Sequence, residues 1–264
     1  MLEIRLKKIQ QYLYSHGTAS VQELADHTGA SVATIRRDLV KMEEDGLISR
    51  TYGGATLTSE NGVEIAFQVR EHQYLKEKRA IAEAAFAHLK SGMTVFLDAG
   101  TTVLQLARIL KMQPLPLFVI TNGISVAQEL IGVGDVKVML LGGQIRPENL
   151  SNVGPYAERM LEHFWFDMLF LGTSAVRIEH GMFTLDAAEA SLNFKMLERA
   201  GEKVLLADSS KFSRTAPYRV AELSALSRII TDHHLPDEVV RKITDQGVQL
   251  ERASLTVQAV GEAG

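Results

Sequence analysis

Several apolar runs in this sequence end in small polar residues whose types suit the binding of an anion and of hydroxyl groups. Thr94-Val95-Phe96-Leu97 is followed by Asp98-Ala99-Gly100-Thr101-Thr102, which opens directly into a helical pattern. A glycine lets the backbone approach an anion, hydroxyls donate to it, and a helix N-terminus adds partial positive charge. Thr121-Asn122-Gly123 ends a second run ahead of another helix, and Gly142-Gly143 ends a third. Further on stand Ser151 and Gly154, then Asp186 and Glu189 at a helix start, then Asp208-Ser209-Ser210-Lys211. One such turn alone is an ordinary N-capped connection. Converging on one sheet edge, they supply anion donors, a cation in Lys211 for a phosphate, and Asp98, Asn122, Asp186 and Glu189 for several hydroxyls. Thr121 and Ser151 stand beside these groups, and the set describes a pocket for a phosphorylated polyol or sugar.

A second set lies earlier in the chain. Thr34-Ile35-Arg36-Arg37-Asp38-Leu39 follows Val21-Gln22-Glu23-Leu24-Ala25 and the turn His27-Thr28-Gly29-Ala30. At helical spacing Val21, Leu24 and Ala25 form one apolar face, and Val32, Ile35 and Leu39 another. Gly29 closes the first helix because a residue just past a helix end often needs positive φ. Ser31 suits the N-cap of the next helix. Two short helices joined by a tight glycine turn make a helix-turn-helix. With Ile35 and Leu39 inward, Ala33, Thr34, Arg36 and Arg37 project from the first turns of the second helix, where a recognition helix meets base edges and phosphates.

Gly46 to Thr56 reads as a short strand, a glycine turn and a return, the pattern of a wing. Arg50 at its base suits a phosphate, and Tyr52, Gly53 and Gly54 form its tip. Leu2 to Tyr14, with Ile4, Leu6, Ile9 and Leu13 apolar, supplies a supporting helix. Between Met1 and Thr56 seven basic side chains balance seven acidic ones. Non-specific DNA affinity comes largely from Lys and Arg at phosphates, so a neutral module must segregate its charge. The expected arrangement puts Glu43-Glu44-Asp45 at the far end of the recognition helix and Arg36, Arg37 and Arg50 toward the groove.

The elements that must carry these groups follow from patterning. From Gly92 onward, short apolar runs alternate with helical patterns: 94–97, 117–120, 136–141, 168–171, 203–207, 228–231 and 248–250. Such runs mark a parallel sheet covered on both faces, which binds ligands beyond the carboxyl ends of its strands. Tyr74 to Leu89 reads as a helix with Tyr74, Ile81, Ala84, Ala85 and Leu89 as its stripe and Lys76-Glu77-Lys78-Arg79 as its wet face. The expected fold is therefore α/β, an N-terminal winged helix-turn-helix over 1–57 and a larger parallel-sheet domain over 73–252. A linker over 58–72, containing the polar stretch Thr58–Gly62, joins them, and 253–264 forms a flexible tail.

Composition sets outer bounds. The chain has 264 residues, 46% hydrophobic and 23% charged, which is ordinary for a globular protein. No apolar run approaches the ~18–20 residues of a membrane span. The first residues lack the apolar core of a secretory signal. Cysteine is absent, which excludes disulfides and thiolate metal sites and fits a cytoplasmic location. The formal charge of −4 gives no whole-chain sign of nucleic acid.

With SVATIRRDL and RTYGGA in the first domain, and FLDAGTT, VITN, LLGG, FDMLFLG, LADSSKF and IITD in the second, the chain resembles the DeoR family of bacterial transcriptional regulators over residues ~3–252. The resemblance implies a winged helix-turn-helix joined to a sugar-phosphate sensor similar in fold to ribose-5-phosphate isomerases and glucosamine-6-phosphate deaminases. It implies that Gly100, Thr101, Thr102 and Lys211 hold phosphate, and that Asp98, Asn122, Gly142, Gly143, Asp186 and Glu189 line the sugar. Tyr52 departs from the family's pattern, which carries a histidine before the paired glycines.

The remaining signals are bland. His233-His234 on a strand-to-loop turn are expected to point apart, which argues against a metal. Ser209-Ser210-Lys211 is no nucleophile elbow. Trp165 reads as core or interface, and Lys195 either reaches the pocket or caps an exposed helix face, the second being favoured. The expected function is a repressor of carbohydrate catabolism genes that binds double-stranded operator DNA under the control of a phosphorylated sugar. No catalysis, cofactor, metal or membrane is expected, and a symmetric operator asks for a homodimer or homotetramer. The alternative is a sugar-phosphate isomerase or deaminase tethered to DNA, using Asp98, Asp186 and Glu189 as acid and base.

Overall fold

The structure, a computed structural model, describes residues 2–16, 18–44, 47–51, 53–57 and 67–254. It divides into two units, Met1–Gln73 and Tyr74–Gly264.

In the first unit, α1 (Leu2–His16) buries Ile9 and Leu13. Ile4 is 64% exposed, off the expected stripe. It lies five residues before Ile9, a spacing that turns it well away from that face. After β1 (Thr18–Ser20), α2 (Val21–Thr28) starts with a reciprocal capping box: the Glu23 amide donates to Ser20 Oγ at 3.2 Å and the Ser20 amide to Glu23 Oε2 at 2.7 Å. Gly29 ends α2 with φ 70°, its amide donating to the Ala25 carbonyl at 2.9 Å. Then α3 (Val32–Glu44) turns Ile35, Leu39 and Met42 into a core shared with Leu24 and Ile9.

Strands β2 (Ile48–Thr51) and β3 (Gly54–Leu57) form the antiparallel hairpin expected of a wing. The chain adds β1 on the far side of β3, giving the order β1-β3-β2. Gly54 pairs with Ser20, and a Cβ on Gly54 would meet the Ala19 carbonyl oxygen at 2.2 Å, so β1 can close on β3 only because this residue is glycine. The expected linker over 58–72 is shorter than its reading. Phe67–His72 is a helix, α4, packed on α1, and Val69 joins the core of the first unit. An apolar pair at 67 and 69 inside a nominal linker has burial to gain, and it takes it. Residues 58–66 lie outside the described residues.

The second unit begins with α5 (Leu75–Phe86). Lys78, expected on its wet face, is buried, and Tyr74 is 49% exposed. Lys78 shares a face with Ile81, Ala82 and Ala85 at helical spacing, whereas Tyr74 precedes the helix at φ 53°. Next come β4 (Thr94–Leu97), α6 (Thr101–Met112), β5 (Leu117–Thr121), α7 (Ile124–Leu130) and β6 (Val136–Leu140). A hairpin of β7 (Gln144–Arg146) and β8 (Ser151–Val153) leads to α8 (Pro155–Leu161) and β9 (Phe166–Leu171). Then follow β10 (Ala175–Arg177), β11 (Gly181–Thr184), α9 (Ala187–Glu198), β12 (Ala200–Leu206), β13 (Tyr218–Ala221), β14 (Arg228–Asp232), α10 (Asp237–Thr244) and β15 (Gln249–Ala253).

Seven of these strands form one sheet in the order β15-β14-β12-β9-β4-β5-β6, every neighbouring pair parallel. Continuous apolar runs such as Val95–Leu97 and Met168–Leu171 are buried, as strands covered on both faces require. The rings of Phe96 and Phe166 meet at 5.0 Å between centroids within the core. A small antiparallel sheet, β10-β11-β13, and the β7–β8 hairpin lie outside the main sheet. Ala253 ends β15 and is buried, so the expected tail starts after it, and residues 255–264 lie outside the described residues. Among the described residues no helix is long and apolar enough to cross a membrane.

Candidate functional site

The first unit presents a polar face on α3. Ser31 caps it, accepting from the Thr34 amide at 3.2 Å, and its hydroxyl lies 2.8 Å from Thr34 Oγ1. Ala33, Arg36 and Arg37 are exposed and Thr34 is half-buried, on the side opposite Ile35 and Leu39. Asp38 does not oppose that charge at the surface. It is buried and takes both Arg5 Nε, at 2.5 Å, and Arg5 Nη2, at 3.2 Å, in a fork that ties α1 to α3.

The wing differs from expectation in one respect. Because β2 follows directly on α3, Arg50 folds back toward the helix end: its amide donates to Glu43 Oε1 at 3.0 Å, and Nη1 lies 3.9 Å from Glu43 Oε2. Glu43 is therefore beside Arg50 and not segregated from it. Gly53 holds the wing onto α2, its carbonyl accepting from the Val21 amide at 2.9 Å, and Gly54 serves the β1 contact. Tyr52 lies outside the described residues.

In the second unit the strand ends converge. Asp98, just past β4, is buried, and its Oδ2 accepts from the Gly172 amide beyond β9 at 3.0 Å. Gly100 starts α6, and a Cβ there would meet Gly172 Cα at 3.3 Å, so the ends of β4 and β9 close tightly on each other. Thr101 and Thr102 are buried in the first turn of α6, which has no side-chain cap. Past β5, Thr121 Oγ1 accepts from the Gly123 amide at 2.9 Å, so this hydroxyl shapes the turn. A Cβ on Gly123 would lie 2.9 Å from Ala99 Cα, which brings the β4 and β5 turns into contact.

The β7–β8 hairpin packs on these turns. The Ile124 amide donates to the Leu150 carbonyl, the Asn152 amide to the Asn122 carbonyl, each at 2.8 Å, and Gly123 bridges Ser151. Gly142 and Gly143 are exposed where β6 gives way to this hairpin. Gly143 has φ 153°, and a Cβ on it would meet the Val153 carbonyl oxygen at 2.7 Å, a reason for glycine that lies in the hairpin itself.

The hairpin also carries a residue that the motif reading passed over. Arg146 is buried, with Nη1 2.8 Å from Glu189 Oε2 and Nε 3.7 Å from Asp186 Oδ2. Asp186 in turn caps α9, accepting from the Glu189 amide at 2.8 Å. The signal was available in outline, since two carboxylates at one helix start need a cation once buried. Burial, and next the nearby Glu189 charge, push the Asp98 carboxyl up to about 7, against the pull of the Gly172 and Ala99 amides and the Asn122 side chain.

Four buried side-chain atoms in this cluster complete no hydrogen bond: Asp98 Oδ1, Asn122 Oδ1, Asn122 Nδ2 and Ser151 Oγ. Buried polar atoms are seldom left so in a finished core. Lys211 stands apart from them, half-buried in the 3-10 turn Ser209–Ser213 that follows β12, two strands from β4. Asp208 caps that turn through the Ser210 amide and hydroxyl.

The other singled-out residues resolve simply. The His233 and His234 rings face each other at 3.9 Å and do not point apart, because Asp232 Oδ1 accepts from both the amide and Nδ1 of His234 and turns that ring back. Asp232 Oδ2 accepts from the Ser209 amide at 2.6 Å. Trp165 is 61% exposed, and Lys195 pairs with Glu158 at 3.0 Å.

Comparison with known proteins matches residues 5–61 to a DeoR-like helix-turn-helix domain and residues 73–233 to the DeoR C terminal sensor domain. The chain is 40% identical over 244 residues to the HTH-type transcriptional regulator GlpR of Haloferax volcanii, covering 92% of this chain and 95% of the relative. It is 33% identical over 238 residues to the L-fucose operon activator of Haemophilus influenzae, covering 90% and 95%. It is 30% identical over 243 residues to the glycerol-3-phosphate regulon repressor of Escherichia coli, covering 92% and 96%. Among solved structures, ribose 5-phosphate isomerase A of Methanocaldococcus jannaschii aligns with TM-score 0.38 and 18% identity over 51% of this chain and 53% of that one. Matched in both units and nearly end to end by its relatives, the chain belongs to the DeoR family of transcriptional regulators.

Proposed function

We propose that this regulator is a repressor of carbohydrate catabolism genes whose operator affinity is set by a phosphorylated sugar or polyol. The observation that carries the effector half is the group of buried polar atoms without partners beside the N-terminus of α6. Thr101, Thr102 and the α6 amides hold the phosphate, with Lys211 as its cation. Asp98, Asn122 and Ser151 take hydroxyls, and the loop at Gly142-Gly143 borders them. Asp186 and Glu189 act at one remove, since Arg146 already engages both. That engagement supports binding over turnover, because acid–base isomerisation needs groups free to exchange protons with the substrate. Relatives named for glycerol-3-phosphate and for L-fucose support a small polyol or sugar effector.

The DNA half rests on Ala33, Thr34, Arg36 and Arg37 of α3, with Ser31 at its cap and Arg50, Tyr52, Gly53 and Gly54 in the wing. One winged module buries only about 600–1,000 Å² on DNA, so the working species is a homodimer or homotetramer reading paired half-sites. A mobility shift on the gene's own upstream DNA, with and without a panel of sugar phosphates and their unphosphorylated forms, tests this. Operator binding that changes with a phosphorylated compound alone is the expected result. Binding insensitive to every compound, or turnover of one of them, contradicts it.

A further inference from the structure

We infer that the second unit carries another small-molecule site, a cleft that takes an organic oxyanion: a carboxylate or phosphate ester on an apolar body. The cleft measures about 290 Å³. Its walls are Arg177 at the end of β10 with the turn through His180, Phe212 to Thr215 at the end of the 3-10 turn, and Lys242 of α10. None of the residues assigned above to the effector lines it, so the inference does not depend on where that ligand's phosphate sits. The walls are held in place by the fold itself. β10 packs against the 3-10 turn. Gln246 Nε2, just past α10, donates to the Ile178 carbonyl at 2.9 Å, and Arg219 Nε of β13 donates to the His180 carbonyl at 2.7 Å. Gly181 lets the hairpin close on β13, because a Cβ there would meet the Ala221 carbonyl oxygen at 1.9 Å.

Charge selects the occupant. Lys242 is already engaged: Glu238 Oε1 lies 2.6 Å from its Nζ, and Glu238 and, more weakly, Glu179 hold its ammonium above the usual range. Arg177 and Arg214 are not engaged. Among the described residues neither guanidinium has a hydrogen bond or an ion pair, although Arg214 is half-buried. Half-buried arginines elsewhere in this unit are paired, Arg108 with Glu129 and Arg228 with Glu251. A guanidinium that has given up part of its hydration recovers it from an oxyanion, which fits its planar fork of donors. Beside the arginines, Val176 is buried and Ile178 and Phe212 are half-buried, so the body of the ligand meets apolar surface. A bare inorganic ion would leave that surface wet, and a neutral molecule would leave both guanidinia unmatched. The cleft gives the regulator a second chemical input, on the turn that also carries Lys211.

The test is calorimetry on the full chain with benzoate and phenyl phosphate as probes. Acetate and inorganic phosphate serve as their bare counterparts, and benzyl alcohol as the neutral control. At least one aromatic anion should bind, with its bare counterpart at least about five-fold weaker for want of apolar contact. Benzyl alcohol should not bind measurably. Arg177→Gln and Arg214→Gln should each weaken the aromatic anion roughly ten- to hundred-fold, the usual loss when a charge-assisted bond goes. Lys211→Ala, at the effector's phosphate, should leave this binding in place. Arg177 is exposed, so Arg177→Gln should melt with the wild type and decides the matter even where Arg214→Gln fails to fold.

Binding lost in Lys211→Ala yet kept in Arg177→Gln would put the anion at the effector site, overturning the cleft and leaving the effector reading standing. Benzyl alcohol binding as well as benzoate would overturn the oxyanion. Full affinity in Arg177→Gln, or no binding of either aromatic probe at millimolar concentration by calorimetry and by thermal shift, would overturn the site itself.

Discussion

The face of α3 and the ends of the sheet solve opposite problems. On α3 the side chains proposed to read DNA stand in water: Arg36 and Arg37 are exposed, and the one acid between Thr34 and Leu39, Asp38, is buried against Arg5. At the strand ends the groups proposed to bind the effector are buried, and four of their atoms complete no hydrogen bond. A polyanion as large as DNA comes to a surface and is gripped by charge, so affinity there falls steeply with salt. A small polyol must be wrapped, so affinity there depends on matched donors and acceptors shielded from water. On this reading salt should weaken the α3 site steeply and the strand-end site, where charge enters through a single phosphate, much less.

The largest effect should come from the exposed site. Replacing Arg36 and Arg37 together by alanine removes contacts worth about 1–3 kcal/mol each. Operator affinity should fall at least about hundred-fold at fixed salt, with effector-induced thermal shifts unchanged. A mobility shift that shows wild-type affinity ends the assignment of α3 as the reading helix.

Arg146→Met should be the most damaging single change at the buried site. It strands Glu189, and breaking such a pair from one side typically costs about 3–5 kcal/mol. Urea denaturation should show the second unit weakened, and adding Glu189→Met should restore much of the loss. If Arg146→Met alone is neutral, the clasp between hairpin and α9 contributes little.

Lys211→Ala sharpens the comparison from the ligand's side. A lost charge-assisted bond of about 1.5–3 kcal/mol should weaken a phosphorylated effector roughly ten- to hundred-fold and leave operator binding without effector intact. Calorimetry giving equal affinity for phosphorylated and unphosphorylated effector would take the phosphate away from Lys211.

Asp98 makes the buried site sensitive to pH. Its carboxyl titrates near 7 in the folded chain against 3.8 ordinarily. A raised folded value means that the protonated form favours folding. The contribution is full below about pH 4 and is lost as pH rises through about 7, at no more than about 1.4 kcal/mol per pH unit. Denaturation curves across that window should flatten in Asp98→Asn. The smallest effect belongs to Glu43→Gln, which releases a half-exposed Arg50 from a pair worth under about 1 kcal/mol and should tighten DNA binding two- or three-fold at most. A larger gain would mean that the wing carries more of the phosphate grip than α3 does.

Much of this was legible in the residues. Periodicity marked α2 and α3, because their apolar positions repeat at helical spacing, and Gly29 and Ser31 marked the turn between them, whereas the Ser20 cap of α2 was not read. The five inner parallel strands showed as apolar runs because burial on both faces leaves no alternation to misread, and the edge strands β6 and β15 showed although they are only partly buried. The small sheet of β10, β11 and β13 and the β7–β8 hairpin did not show. They are three- and four-residue strands, too short to show a period, and β13 reaches β11 from a distant segment. Arg146 went unseen with its hairpin, since only the folded chain brings residue 146 to residues 186 and 189. Glu43 and Arg50 were misplaced for a similar reason: spacing along a helix says nothing about a strand that doubles back on it.

The burial of Val69 in the core of the first unit bears on modularity. Sensors could be exchanged among family members by splicing one coding segment to another, and the wing looks like the natural seam. A seam at residue 58 would hand α4 to the wrong parent and pit a foreign side chain against Ile9 and Leu13. Joined between Gln73 and Tyr74, each parent keeps its own packing, and a library of chimeric regulators built there should yield soluble, DNA-competent hybrids far more often.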